Sequence, residues 1–311
     1  MNGILALWKE KGITSHDCVF RLRKILRTKK IGHGGTLDPD VEGVLPICIG
    51  QGTKVVEYLV GAGKTYEGEV TFGFTTTTED ASGAIVAESR LLRPVTNQEI
   101  DQAMQLFIGE ITQIPPMYSA VKVNGKRLYE YARANQSVKR PMRKVQIFSF
   151  ERISDPVFDK QKGIQSFKFR VECGKGVYIR TLAVDLGKKL GYAAHMSALT
   201  RTKAAGLNYY EAHTLSEIAE AMANGTLSKF LFPIEVGVAA FPRIDLTAAL
   251  YQKVKNGARL TYEQIGLITS PTSLLALFYQ EKVVALYQDY PGKKGMIKPR
   301  KVVDPLRNLD V

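Results

Sequence analysis

Three features of the 311-residue chain predict an α+β fold. Helical and strand patterns are interleaved without the regular strand-helix-strand rhythm of a parallel, doubly wound domain. Apolar and polar residues alternate at Val70, Phe72 and Phe74 against Glu69, Thr71 and Gly73, and again at Phe167, Phe169 and Val171 against Lys168, Arg170 and Glu172. That period of two implies half-buried antiparallel strands. Beyond Pro233 the pattern changes to short apolar runs, 274–279 and 283–287, split by Gln280-Glu281-Lys282 and followed by a basic stretch at 293–301. A small β-rich C-terminal domain fits that pattern.

Taken in order, Ser15 is an N-cap candidate for a helix over about 16–27, with Val19, Leu22, Ile25 and Leu26 on one face and arginines on the other. A glycine-rich loop follows, Gly32-His33-Gly34-Gly35-Thr36-Leu37-Asp38-Pro39-Asp40-Val41-Glu42-Gly43. Pro39 disfavours an α conformation at Asp38, and the glycines leave the backbone open to a ligand. Such clusters are usually plain surface turns. Here the loop lies between a basic segment and the apolar run 44–49, which reads as a buried strand and gives the loop a rigid mount. Asp38 is therefore the leading catalytic candidate. Capping-box spacings at Thr96/Glu99 and Thr214/Glu217 predict two further helices, carrying Ile100, Ala103, Met104 and Phe107 in one and Ile218 and Met222 in the other. Gly61-Ala62-Gly63-Lys64-Thr65 lacks the spacing of a phosphate-binding loop.

The length suits roughly two domains on the prior of about 150 residues each. With 45% hydrophobic and 23% charged residues, the composition is that of a globular protein. No apolar run approaches the ~20 residues of a membrane span, and the N-terminus has no leader-like pattern, so a cytoplasmic location is expected. Cys18, Cys48 and Cys173 are far apart and share no ligand spacing with the four histidines, which suggests neither a disulfide framework nor a metal site. No metal or cofactor is expected. The net charge of +13 is concentrated: residues 21–30 hold six basic residues and no acid. Residues 122–144 hold Lys122, Lys126, Arg127, Arg133, Lys139, Arg140, Arg143 and Lys144 against the single acid Glu130. Such patches are the footprint of a polyanion, because each neutralised phosphate releases a counterion. Tyr118, Tyr129 and Tyr131 among these charges favour stacking on unpaired bases over a membrane surface or a merely solvated helix face. Residues 1–239 carry a net +8 and residues 240–311 a net +5, so both parts are candidates for nucleic-acid contact.

The loop Gly32-His33-Gly34-Gly35-Thr36-Leu37-Asp38-Pro39 with Gly43-Val44-Leu45 resembles the catalytic motif of the TruB-type tRNA pseudouridine synthases, which act on position 55 of the T loop. Four further blocks agree in order: Gly12-Ile13-Thr14-Ser15-His16-Asp17, Lys64-Thr65-Tyr66-Glu67-Gly68, the stretch from Gln113 through Pro115-Pro116 to Lys122, and the stretch from Cys173 through Tyr178 and Arg180 to Leu182. The match spans roughly 3–235. It implies a pseudouridine synthase catalytic domain over 1–235, built on a mixed, largely antiparallel sheet with flanking helices, and a PUA-like RNA-binding domain over 240–311. Glu10 stands where the family commonly has proline, and Gly34 where threonine is frequent.

The resemblance also implies roles. Converting uridine to pseudouridine breaks the N1 glycosidic bond, turns the uracil and rejoins it through C5, without redox change. Asp38 matches the catalytic aspartate; attack on C1′, removal of a sugar proton and addition to the uracil ring are all open to a carboxylate there. Arg180 is implied as its counter-ion, with phosphate binding as the competing role. Tyr66 corresponds to the active-site tyrosine against the flipped base, where stacking of ~1–3 kcal/mol offsets the cost of flipping. His33 corresponds to the loop histidine that enters the T loop, and Tyr178 and Leu199 to the lining of the base pocket. Lys64, Lys122, Arg127 and Arg140 are expected to bind the RNA, with 122–144 as an RNA-gripping insertion that orders on binding. The expected partner is the T stem-loop of tRNA, and nothing demands a protein partner, so a monomer is expected. Two other readings use the same features: a non-catalytic tRNA-binding or folding protein, which needs no Asp38, and a dyskerin-like synthase acting on ribosomal RNA. A glycosidase would ask for two carboxylates about the bond, for which Asp40 and Glu42 lack support from the resemblance.

Overall fold

The computed structural model describes residues 1–303 and Leu306; residues 304–305 and 307–311, the end of the expected C-terminal domain, lie outside the described residues. The chain divides into two compact units, one of Met1–Asp40, Val44–Gly61 and 205 onward, the other of Val41–Gly43 and Ala62–Ala204. The α+β class read from the sequence is the class observed.

The first stretch runs β1 (Gly3–Lys9), α1 (Ser15–Ile25), β2 (Ile31–His33), β3 (Glu42–Ile49) and α2 (Val56–Gly61). Helix α1 starts one residue earlier than expected, because its N-cap is Thr14 and not Ser15. The Thr14 side chain accepts from Asp17 N at 3.0 Å, and Asp17 returns a bond from Thr14 N, also at 3.0 Å. The Thr14 hydroxyl, donating to the Asp17 carboxylate at 2.6 Å, and then the Thr14 N–H hold that carboxyl below its ordinary pKa. Cys18, Val19 and Leu22 face inward, while Arg21, Arg23 and Lys24 are exposed, the amphipathic division expected of the helix. The apolar run 44–49 is the buried part of β3.

The second stretch supplies β4 (Lys64–Phe72), β5 (Phe74–Thr76), β6 (Ile85–Glu88), α3 (Asn97–Gln105), β7 (Gly109–Gln113), β8 (Lys122–Val123), β9 (Lys126–Arg127), α4 (Leu128–Arg133), β10 (Arg143–Arg152), β11 (Val157–Asp159), β12 (Ile164–Cys173), α5 (Ile179–Leu190) and β13 (Ala194–Ala204). Its sheet has the order β13-β4-β12-β10-β7 with every neighbour antiparallel. Glu42 and Gly43 pair in parallel with Thr200 and Arg201 on β13, so the sheet is mixed. Phe167, Phe169 and Val171 are buried and Lys168, Arg170 and Glu172 exposed, matching the alternation. The expected strand through Phe74 is broken instead: Gly73 at φ +124 ends β4, and Phe74 opens a separate hairpin of β5 with β6. Thr71, expected to face outward, is buried and donates to Ser197 Oγ at 2.9 Å. Helix α3 has the Thr96/Glu99 capping box and buries Ile100, Ala103 and Met104.

From residue 205 come β14 (Leu207–Asn208), α6 (Leu215–Ala223), β15 (Leu231–Phe232), β16 (Arg243–Asp245), α7 (Ala248–Val254), β17 (Leu260–Thr261), β18 (Leu275–Tyr279), β19 (Lys282–Asp289) and β20 (Met296–Val302). Helix α6 begins at the expected Thr214/Glu217 box. In the first unit β1 lies between β15 and β3, and α1 and α6 share a core with this sheet through Leu5, Leu7, Leu22, Leu45, Ile47 and Ile218. Truncating a fully buried leucine such as Leu22 to alanine would cost about 2–5 kcal/mol. The C-terminal β domain is a five-stranded sheet, β16-β18-β19-β20-β17, around a core of Leu246, Val254, Leu260, Leu277, Val284 and Ile297. Its β18–β19 turn places Gln280 and Glu281 at φ +47 and +62, the paired left-handed geometry of a two-residue hairpin. Among the described residues no helix is long and apolar enough to cross a membrane.

Candidate active site

The Asp38 loop is held by buried groups on both flanks. Before Asp38, the Ser15 hydroxyl donates to Leu37 O at 3.2 Å and accepts from Leu37 N at 2.9 Å, satisfying both backbone polar groups of buried Leu37. After it, Pro39 O accepts from Gly12 N at 3.0 Å and from Lys9 Nζ at 3.1 Å. Lys9 is wholly buried at the end of β1, where its ammonium also donates to Glu10 O at 2.9 Å. Leu37 and Val41 are buried, so half-buried Asp38 stands on a short arch between two apolar anchors. This explains the block Gly12-Ile13-Thr14-Ser15: its glycine and serine are the clamp, while its threonine caps α1. Upstream, His33 ends β2 opposite Ile47. Gly34 N donates to Pro46 O at 2.8 Å, and a Cβ on Gly34 would sit 3.0 Å from Leu59 Cβ and 3.2 Å from Pro46 Cβ. Glycine there lets the loop lie flush against α2.

Downstream, Gly43 is fixed by sterics. At φ +129 its Cβ would fall 2.3 Å from Arg201 O and 2.6 Å from Arg201 N. No other residue permits that approach.

In the second unit Tyr66 stands on β4 opposite Arg201, and Gly68 opposite Leu199. Residues two apart on a strand share a face, so Tyr66, Leu199 and Arg201 lie on one side of the sheet. Gly68 makes room for Leu199, whose Cδ1 would be 2.9 Å from a Cβ at that position. Tyr66 and Leu199 are buried and Arg201 wholly so. Lys64 lies at the start of β4, donates to Ala62 O at 3.0 Å, and has its pKa drawn down to about 8, first by burial and then by the charge of Arg201. Burial pushes the Cys173 and Cys48 thiols up to about 12.

Tyr178 and Arg180 sit at the start of α5, reached through the turn at Gly176 (φ +82). Gln113, buried in the block that leads into Pro115-Pro116, grips the backbone of Tyr178 from both sides: Oε1 accepts from Tyr178 N at 3.0 Å and Nε2 donates to Tyr178 O at 3.3 Å. Arg180, 5% exposed, donates to Thr78 O and to Tyr118 O, each at 2.9 Å, with the Asp80 carboxylate 3.8 Å away. The guanidinium is thereby fixed in one plane. Asp80 is itself held by Thr78 Oγ1 and Ser82 Oγ at 2.6 Å and by Ser82 N at 3.0 Å. Beside it, Glu79 adopts φ +65 and accepts from Thr181 Oγ1 at 2.7 Å. Burial raises the pKa of Glu79 against the opposing pull of Thr181, Arg180 and Arg140.

Residues 122–144 are built differently. Lys122 pairs with Arg127 across the β8–β9 hairpin, both exposed. Arg127 Nη1 donates to Tyr129 Oη at 2.9 Å, and Arg127 and Arg133 lie 5.8 and 5.2 Å from the Tyr129 ring centre. Tyr131 donates to Val123 O at 3.0 Å. Arg140 donates to Pro115 O at 3.0 Å and lies 4.0 Å from Glu79. The structure thus joins Arg140 to the start of α5, and sets Tyr66 with Leu199, and Tyr178 with Arg180. Lys9, Glu79, Gln113, Thr181 and Arg201 were missed by sequence reasoning. Gln113 lies within a block quoted for the resemblance, but a lysine ending a strand and an arginine within Thr200-Arg201-Thr202 carry no such mark.

With this geometry in view, residues 23–179 match the TruB family pseudouridylate synthase N-terminal domain, and residues 180–239 match the tRNA pseudouridylate synthase B C-terminal domain. The chain is 54% identical over 302 residues to a protein of Streptococcus gordonii named tRNA pseudouridine synthase B, covering 97% of this chain and 99% of that one. A protein of the same name from Lactococcus lactis subsp. lactis is 50% identical over 324 residues, covering 97% and 98%. Among solved structures, a Cbf5-Nop10-Gar1 complex superposes with a TM-score of 0.74 at 28% identity, covering 97% of this chain and 85% of that one. The chain belongs to the TruB family of pseudouridylate synthases and is a pseudouridine synthase, an isomerase.

Proposed function

We propose that this enzyme isomerises uridine to pseudouridine at position 55 in the T loop of tRNA, with Asp38 as the nucleophile on a flipped base. The observation that carries the reading is the clamped arch: a single carboxylate is presented between residues whose peptide groups are tied to Ser15, Gly12 and Lys9, so it meets its substrate without reorganising. The Asp38 carboxylate makes the covalent attack and the N1–C1′ bond breaks. The freed uracil turns, C5 bonds to C1′, the bond to Asp38 breaks and returns the carboxylate, and the C5 proton leaves to solvent while N1 takes one up. Tyr66 lies against the base, with Leu199 and Tyr178 completing an apolar lining, and Arg180 supplies the balancing positive charge. His33 enters the T loop where the base has left. Lys64, Lys122, Arg127 and Arg140 take phosphates. Residues 1–235 form the catalytic domain and 240–311 a PUA-like RNA-binding domain, in a cytoplasmic monomer that needs no cofactor.

The names of the bacterial relatives support tRNA as the substrate. The test is tritium release from C5-labelled uridine in a T stem-loop transcript, without metal or nucleotide. Asp38→Ala is expected to bind the RNA as the unaltered enzyme does and to release no tritium. Retained release in that variant would end the nucleophile assignment.

A further inference from the structure

The C-terminal β domain gathers positive charge around one aromatic ring. Tyr290 follows β19 and opens a turn that reverses through Gly292 (φ +83) and Gly295 (φ +76). The turn is closed by Tyr290 N donating to Met296 O and Lys293 N donating to Tyr290 O, both at 3.0 Å. In the sheet Lys298 lies opposite Gln288, and Leu260 opposite Ile297, so Lys298 comes from β20 and Arg259 from the residue just before β17, the other neighbour of β20. These converge with Lys293 on the Tyr290 ring: Arg259 lies 4.8 Å, Lys298 5.1 Å and Lys293 5.9 Å from its centre. Tyr290 is half-buried, and Arg259 and Lys293 are exposed.

Among the described residues that charge has no acidic partner. Asp245 and Glu281 both bind Arg243, and Asp289 accepts from the Tyr262 hydroxyl. Among the described residues no ion pair reaches Arg259, Lys293, Lys294 or Lys298. Like charges drawn round one ring repel one another, and the arrangement becomes favourable when a polyanion with a flat, apolar component arrives. An unpaired nucleotide has both parts, whereas the bases of a duplex are stacked away from such a ring.

We propose that this face binds an unpaired stretch of the same tRNA outside the T loop, with Tyr290 stacked on a base and Arg259, Lys293 and Lys298 on the flanking phosphates. The inference rests on the tRNA reading above, which already assigns the T loop to the Asp38 site. Turnover of a full-length unmodified tRNA transcript and of an isolated T stem-loop separates the two. Tyr290→Ala should raise KM for the full-length tRNA about tenfold, the size of one lost base stack, with kcat and both stem-loop constants unchanged. Tyr290→Phe, which keeps the ring, should match the unaltered enzyme. Lys293→Gln with Lys298→Gln should lower the salt slope of full-length KM by about 1.4. An unchanged full-length KM in Tyr290→Ala, or an equal loss on the stem-loop, would overturn the proposal. If the unaltered enzyme turns over neither RNA, the T-loop reading fails on its own, and the same comparison is then read in dissociation constants.

Discussion

The Asp38 loop and the segment 122–144 are both irregular stretches that carry residues assigned to the RNA, yet they are secured in opposite ways. Leu37 and Pro39 are bound by buried or backbone groups from β1 and the start of α1, and Gly43 is pressed against the backbone of β13. The 122–144 segment instead has a two-residue hairpin, a six-residue helix, exposed arginines about Tyr129, and Arg140 as its link to Pro115 and Glu79. The contrast separates two demands. Bond-breaking chemistry tolerates little displacement, so its carboxylate is mounted on satisfied, buried peptide groups. Gripping a large flexible polyanion benefits from long side chains that adjust, and the segment keeps most of its cations exposed while Leu128 and the backbone of 128–129 hold it.

The largest effect should come from the most rigid point. Gly43→Ala forces a Cβ into the Arg201 carbonyl at a backbone angle alanine avoids, and a loss of about 3 kcal/mol or more is expected in urea unfolding. An unshifted midpoint would mean the loop is softer than its contacts imply. Next, Ser15→Ala leaves the N–H and C=O of buried Leu37 without the hydroxyl that serves both, at about 2 kcal/mol. Since Leu37 directly precedes Asp38, kcat should fall about tenfold with KM unchanged if the loss falls on the catalytic geometry. A change in KM alone would show that the clamp serves binding.

Much of this division was legible in the sequence, for identifiable reasons. The Asp38-Pro39 pair and the apolar run after it are local signals, and so are the capping boxes of α3 and α6. Ser15 shows the limit. Both Thr14 and Ser15 can cap a helix, and the choice is made by Leu37, 22 residues away, which takes the serine hydroxyl inward and leaves capping to threonine. The break at Gly73 was hidden because alternation alone continues through it. Lys9, Glu79 and Arg201 were invisible because a charged residue is presumed to face water until the chain that buries it is known.

On the adaptable side the effects should be smaller and fall on binding. Lys122→Ala with Arg127→Ala should weaken RNA binding by about 1–2 kcal/mol, more at low salt than at high, with kcat held. A fall in kcat at saturating RNA would place these residues in the chemistry. The finest test is the link itself. Burial keeps Glu79 protonated to a higher pH in the folded protein than in the unfolded chain, whose carboxyl titrates near 4.5. Between those two values the native state holds the extra proton, so global stability should fall as pH rises through the window and level off above it. Over the same window Glu79 becomes anionic 4.0 Å from Arg140, so the attachment of the segment should tighten. Hydrogen exchange at 134–142, corrected for its intrinsic pH dependence, should therefore slow while the unfolding midpoint drops. Glu79→Gln should flatten both curves, because the amide neither titrates nor attracts the guanidinium. If exchange in that variant still slowed with pH as in the unaltered enzyme, the tightening would not come from Glu79, and Arg140 would be held by Pro115 alone, a weaker mount than its two contacts imply.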